Sequence, residues 1–170
     1  DTVDYISFML YPSHYYNGFY MDADPERGLP ALQYPYRSLT TAHVASNHPY
    51  DVVYRSLLIA QDFLAGKPIF EKSTTTPPRE SQGATTTPTT AGVATSSEQA
   101  GKPFMKPQSK ARLRPWLQDF DLGVDTARGI YYGKEKVRAE IDAAEDAGAS
   151  GWMLWNARNV YTKDALKGKE

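Results

Sequence analysis

The sequence predicts an α/β fold with parallel strands, and three observations lead there. Short, almost continuously apolar runs recur at 3–11, 112–120 and 151–157. Amphipathic helical patterns lie between them, at 49–65 and 134–147. Turn-forming residues punctuate the boundaries. Strands that are apolar throughout and alternate with one-sided helices point to parallel βαβ units.

The first run, VDYISFMLY, is rich in β-formers and ends at Pro12, so it reads as a buried strand. The stretch from Pro12 to His48 is rich in Tyr, Pro, Gly, Asn and Asp with little periodicity. It predicts a long irregular loop, and its Tyr and Phe content (Tyr15, Tyr16, Phe19, Tyr20, Tyr34, Tyr36) predicts an ordered, functional one. His48-Pro49 marks a helix start, since Pro is favoured at the first helical position. Val53, Leu57, Ala60 and Leu64 follow at helical spacing, and Gly66 is the expected stop.

Residues 72–101 are dominated by Thr, Pro, Ser, Gly and Ala. Such a segment buries too little apolar area to offset its ordering entropy, so a disordered insertion is expected there. The next run, RLRPWLQDF, predicts a second strand, with Pro115 an objection to a central position. Residues 134–147 give the clearest helix. Val137, Ile141 and Ala144 form its stripe, Arg138 and Asp142 an i,i+4 pair, and Gly148 its end. GWMLWNA predicts a third strand, and the polar tail from Thr162 is expected to fray.

Composition excludes several function classes. The net charge of −1 shows no basic stripe, which argues against nucleic acid. No run of apolar residues is long enough to span a membrane. With no cysteine there are no disulfides, thiolate metal sites or cysteine nucleophiles. His14, His43 and His48 lack metal-site spacing, and no metal or cofactor is expected.

Ligands in parallel α/β folds bind beyond the C-terminal ends of the strands. The first strand delivers Tyr11, Ser13, His14 and Tyr15 there; the second delivers Trp116, Gln118, Asp119, Phe120 and Asp121. The third delivers Trp155, Asn156, Arg158 and Asn159. Aromatic platforms beside hydrogen-bonding groups suit a pyranose ring, which has an apolar face and a belt of hydroxyls. Asp119 is the candidate catalytic group, with Asp121 as the alternative. A carboxylate at the end of a buried strand is costly unless it is paired or faces a polar cleft, and glycoside hydrolysis uses such carboxylates in pairs. The competing reading of Asp119 is a salt bridge to Arg112, Arg114 or Arg158. Tyr11, Ser13, His14, Tyr15, Trp116, Gln118, Trp155 and Asn156 are the candidate substrate-binding residues. Each also has a plainer role open to it in packing or turns.

The phrases from Asp4 to Tyr15, from Arg114 to Phe120, and from Gly151 to Tyr161 together resemble the bacterial putative glycosyl hydrolase domain, a family of unknown function placed among TIM-barrel glycosidases. Phe8, where the family pattern leads one to expect Pro, and the Thr-rich insertion depart from it. The resemblance implies that the chain is the C-terminal portion of a (β/α)8 TIM barrel, with further strands and a second carboxylate upstream of Asp1. A complete barrel of this kind takes about 250 residues. It further implies hydrolysis of O-glycosidic bonds in a polysaccharide, or carbohydrate binding without turnover on the same scaffold. An extracellular or cell-envelope location and self-association through open sheet edges are the accompanying expectations.

Overall fold

A computed structural model describes residues 3–35, 40–67 and 109–167. The predicted insertion at 72–101 lies outside the described residues, as does Tyr36. In chain order the strands are β1 (Tyr5–Ile6), β2 (Met9–Leu10), β3 (Gly18–Met21), β4 (Leu32–Pro35), β5 (Arg112–Leu113), β6 (Trp116–Gln118) and β7 (Met153–Trp155). The helices are α1 (Pro49–Leu64), α2 (Gly123–Thr126) and α3 (Lys134–Asp146).

β1 pairs with β5, β2 with β6, and β6 with β7, all parallel. Backbone bonds carry the first ladder through without a break: Arg112, Arg114 and Trp116 N–H donate to the carbonyls of Asp4, Ile6 and Phe8 at 2.9–3.0 Å. The first two apolar runs therefore each contribute one long, slightly interrupted strand. The fold is α/β with parallel strands, as the alternation of runs predicts. Pro115 is compatible with this central position. Its carbonyl accepts from Met153 N–H at 2.9 Å, and the donor it lacks would fall before β7 begins.

Strand alternation sorts the side chains onto two faces. Leu10, Leu113 and Leu117 pack with Val53 and Leu57 of α1 and with Val137 and Ile141 of α3, forming the main core. Ile6, Phe8, Trp152 and Leu154 pack against its edge. The opposite face carries Met9, Trp116, Met153 and Trp155. Met9 is 67% exposed and Trp155 44%, while Trp116 and Met153 are partly buried, so this face is only partly covered among the described residues. Both long helices end where the sequence places them, with Gly66 and Gly148 in the left-handed conformation (φ 78° and 70°) that only glycine adopts without strain.

Two expectations need correction. The segment after Pro12 is not an irregular loop throughout: β3 and β4 form an antiparallel hairpin. Tyr15 meets Phe19 edge-on, and Tyr34 stacks on His48 with ring centroids 4.2 Å apart. Tyr34 Oη also donates to Asp51 at the start of α1, at 2.6 Å. Phe19 and Tyr34, register partners, stack across the two strands at 6.2 Å, so aromatic packing stabilises a hairpin that lacks a simple period-2 pattern. The described tail does not fray. Residues Lys163–Leu166 form a turn of 3₁₀ helix, Ala165 is fully buried, and Arg138 Nη1 donates to its carbonyl at 3.3 Å.

Leu117 is fully buried between the sheet and both helices. Leu117→Ala is expected to cost about 2–5 kcal/mol of unfolding free energy, read as a lower denaturation midpoint with unchanged slope.

Candidate functional site

The three parallel strands end at one cavity of about 620 Å³. Tyr11 and His14 line it from the first strand; Asp119, Phe120 and Asp121 from the second; Trp155, Asn156, Ala157 and Arg158 from the third. Tyr132, Val160 and Thr162 complete the wall. Of the residues nominated from sequence, Tyr11, His14, Asp119, Asp121, Trp155 and Asn156 therefore come together.

A sharp turn after the first strand places its share. Pro12 fixes the first position of a 3₁₀ turn, and His14 N–H closes it on the Tyr11 carbonyl at 2.8 Å. Tyr11 then meets His14 and Phe120 edge-on at centroid distances of 5.2 and 5.3 Å, giving an aromatic corner. Trp155 meets Trp116 edge-on at 6.1 Å. Trp116 supports Trp155 from below and does not line the cavity. Tyr15 belongs to the hairpin and does not reach it either.

Asp119 is only 3% exposed, yet it has no guanidinium partner. Thr162 supplies both its donors: the backbone N–H to Oδ2 and Oγ1 to Oδ1, each at 2.7 Å. The Asn156 amide donates to the Asp119 carbonyl, and Asp119 N–H donates to the Trp155 carbonyl at 3.0 Å. The carboxylate that closes the second strand is thus fixed by the third strand and by the segment that follows it. No ion pair to Arg112, Arg114 or Arg158 forms. Asp121 does not cap its own turn but accepts from Tyr132 N–H at 2.7 Å, drawing the loop before α3 onto the cavity.

Ser13 and Gln118 lie beneath the cavity in a buried polar network. Gln118 Nε2 donates to Ser13 Oγ at 2.8 Å, its Oε1 accepts from Ser13 N–H at 3.1 Å, and Ser13 Oγ donates to buried Asp125 at 2.6 Å. Every donor and acceptor of this pair is used internally, so they shape the site and are not placed to touch a ligand.

Glu140 is the residue that sequence reasoning passed over. It is fully buried on the sheet-facing side of α3. Its Oε2 accepts from Gln118 N–H at 2.8 Å, and the Tyr132 hydroxyl hydrogen-bonds Oε1. Burial pushes its carboxyl well above the usual carboxylate range; the Gln118 N–H opposes this and the Asp119 charge adds to it. The signal was a Glu three positions after Val137 and one before Ile141, on the apolar side of an otherwise acid-rich helix. Burial, and then Glu140, also raise the Tyr11 hydroxyl. Half-buried Lys136 donates to Asn47 at 2.7 Å. Burial lowers its ammonium pKa, against the pull of Asp125 and Asp121.

Residues 80–161 match the family described as "Putative glycosyl hydrolase domain". That is the family the strand phrases resemble. The matched span holds β5, β6, α2, α3 and β7, and with them Asp119, Asp121, Tyr132, Glu140, Trp155, Asn156 and Arg158. The first strand and Thr162 fall outside it. No curated protein and no solved structure matches the chain. Among the described residues no cluster of His, Cys, Asp or Glu is arranged to hold a metal, and no helix is long and apolar enough to cross a membrane.

Two predictions follow from these bonds. Folded Glu140 keeps its proton at pH values where the unfolded chain releases it. Stability therefore falls as pH rises above the ordinary glutamate value of 4.5, by about 1.4 kcal/mol per pH unit until the folded group ionises. Glu140→Gln, which mimics the neutral acid, removes that slope in denaturation curves taken across the pH range. Thr162→Val deletes one donor to Asp119, costs about 1–3 kcal/mol, and speeds hydrogen exchange in residues 160–166.

Proposed function

We propose that the chain carries part of the active centre of a glycoside hydrolase acting on O-glycosidic bonds of a polysaccharide, with Asp119 as one carboxylate of the pair. One observation carries the reading. A carboxylate, an imidazole, an amide and an exposed indole, from three separate strands, line one open cavity at the C-terminal ends of a parallel sheet. Active sites of (β/α)8 barrels occupy that position, and the family match covers two of the three strands. In this reading β1–β2, β5–β6 and β7 are neighbouring strands of such a barrel. The partly covered face is its lumen side.

The chemistry divides among the residues. Trp155 and the Tyr11–Phe120 corner stack against the apolar face of a sugar ring, while His14 and the Asn156 side chain address its hydroxyls. Asp119 meets Thr162 through both oxygens and so accepts hydrogen bonds only. In this reading it serves as nucleophile or base, and the proton donor comes from another strand of the barrel. Asp121, tied to Tyr132 N–H, is the alternative.

A specific observation favours a second reading. Thr162 occupies an acceptor position on each Asp119 oxygen and so competes there with a reacting sugar. If that contact persists with ligand bound, the cavity binds saccharide without hydrolysing it. Reducing-end release from a panel of glycans by the intact gene product separates the two. Asp119→Asn is expected to lower hydrolysis by about 10²–10⁴-fold while leaving saccharide affinity within a few-fold. Trp155→Ala is expected to weaken affinity in either case. Affinity without release, in native protein and variant alike, selects the binder.

A further inference from the structure

Glu140 is fully buried, yet the chemistry above leaves it unused. It touches both segments that carry the candidate carboxylates. Its Oε2 accepts from the N–H of Gln118, the residue before Asp119, at 2.8 Å. Its Oε1 meets the Tyr132 hydroxyl. Tyr132 lines the cavity, and its backbone N–H holds Asp121 Oδ1 at 2.7 Å. The end of β6 and the loop before α3 therefore share one side chain, supplied by the helix that packs behind the sheet. An apolar residue here would leave the buried Tyr132 hydroxyl without this partner. A carboxylic acid serves both neighbours, because it has a proton to give and an oxygen that accepts.

We infer that Glu140 is a positioning residue: from behind the sheet it clamps the Asp119 strand end to the Asp121 loop, and so fixes how both carboxylates stand at the cavity. Its consequence for catalysis rests on the glycoside reading of that cavity; its geometry rests on the bonds alone. Charge makes the clamp conditional. Burial holds the Glu140 proton well above the usual carboxylate range, and the Asp119 charge adds to this. Ionisation removes the proton shared with Tyr132 and sets a second negative charge near Asp119. Among the described residues no cation meets Glu140 to offset that charge. Tyr11 faces it from the end of the first strand as a hydroxyl that burial keeps protonated. On α3 itself, Lys136 lies over the Tyr132 ring and donates to Asn47, while Arg138 pairs with Asp142 and Glu145. Tyr50 brings α1 to α3 through Asp146, and the turn at Lys163–Leu166 meets α3 where Arg138 holds the Ala165 carbonyl. Asp125 of α2 is taken by Ser13. Raising the pH through the ionisation of Glu140 therefore loosens the clamp, and the state of the cavity is linked to that one proton.

The test follows side-chain carboxyl resonances of the isotope-labelled intact chain, without ligand, from acid to alkaline pH by nuclear magnetic resonance. The Asp119 and Asp121 carboxyls and the Thr162 amide are expected to shift with the same midpoint as the Glu140 carboxyl. E140Q keeps a donor for Tyr132 and an acceptor for Gln118, so it should match the native pattern at acid pH and lack the transition. D119N should lower the midpoint of Glu140, since the opposing charge is gone. Ionisation of Glu140 with no response at Asp119 and Asp121, or an unchanged transition in E140Q, overturns the inference. If E140Q does not fold, the native chain and D119N decide. Hydrolysis by the intact gene product adds a functional readout. E140A is expected to lose about 10²-fold, and E140Q to recover most of it while losing the alkaline limb of the pH profile. An alkaline limb unchanged in E140Q also overturns the inference. Failure to bind or hydrolyse any saccharide counts against the glycoside reading alone, because the carboxyl titration decides the clamp without ligand.

Discussion

The grip of Thr162 on Asp119 organises this molecule's candidate site. A carboxylate at the end of a buried strand is expensive to remove from water unless its oxygens find donors. Here a backbone N–H and a hydroxyl from one residue, 43 positions later, satisfy both oxygens. The same contact ties the C-terminal segment across the mouth of the sheet, where Val160 and Thr162 become part of the cavity wall. It makes the acid stable, holds it in one orientation and encloses the cavity around it.

Beneath the cavity a second polar layer supports it. Gln118 reaches Ser13 on the neighbouring strand, Ser13 reaches Asp125 on α2, and Glu140 on α3 accepts from the strand backbone. No buried side-chain nitrogen or oxygen among the described residues lacks a partner. Fully satisfied networks of this kind specify one arrangement, whereas an apolar core alone tolerates several. The helices that bury Leu117 thus also deliver Glu140 to the floor of the site.

Much of the scaffold was legible in the sequence because its signals are local and periodic. The stripe Val53–Leu57–Leu64, the glycines closing α1 and α3, and the three apolar runs each map onto an observed element. The strand-end rule then brought six nominated residues to one cavity. What escaped depends on contacts distant in sequence. The β3–β4 hairpin is stabilised by Tyr34 stacking on His48, which no period reveals. Thr162 looked like the start of a polar tail because its partner lies on another strand. Glu140 looked like one more acid on a charged helix, since its position relative to Tyr132 and Gln118 exists only after packing. Ser13 and Gln118 were read as ligand contacts, but their side chains are spent on each other.

The account rests on the cavity at the strand ends being where saccharide sits. Side-chain resonances of the isotope-labelled chain, followed by nuclear magnetic resonance during titration with a panel of oligosaccharides, test that most directly. The account predicts saturable shifts of the Trp155 indole N–H and the Asn156 amide, with the Trp152 indole unmoved. Shifts confined to Trp152 or to the hairpin, or none with any saccharide, would contradict it.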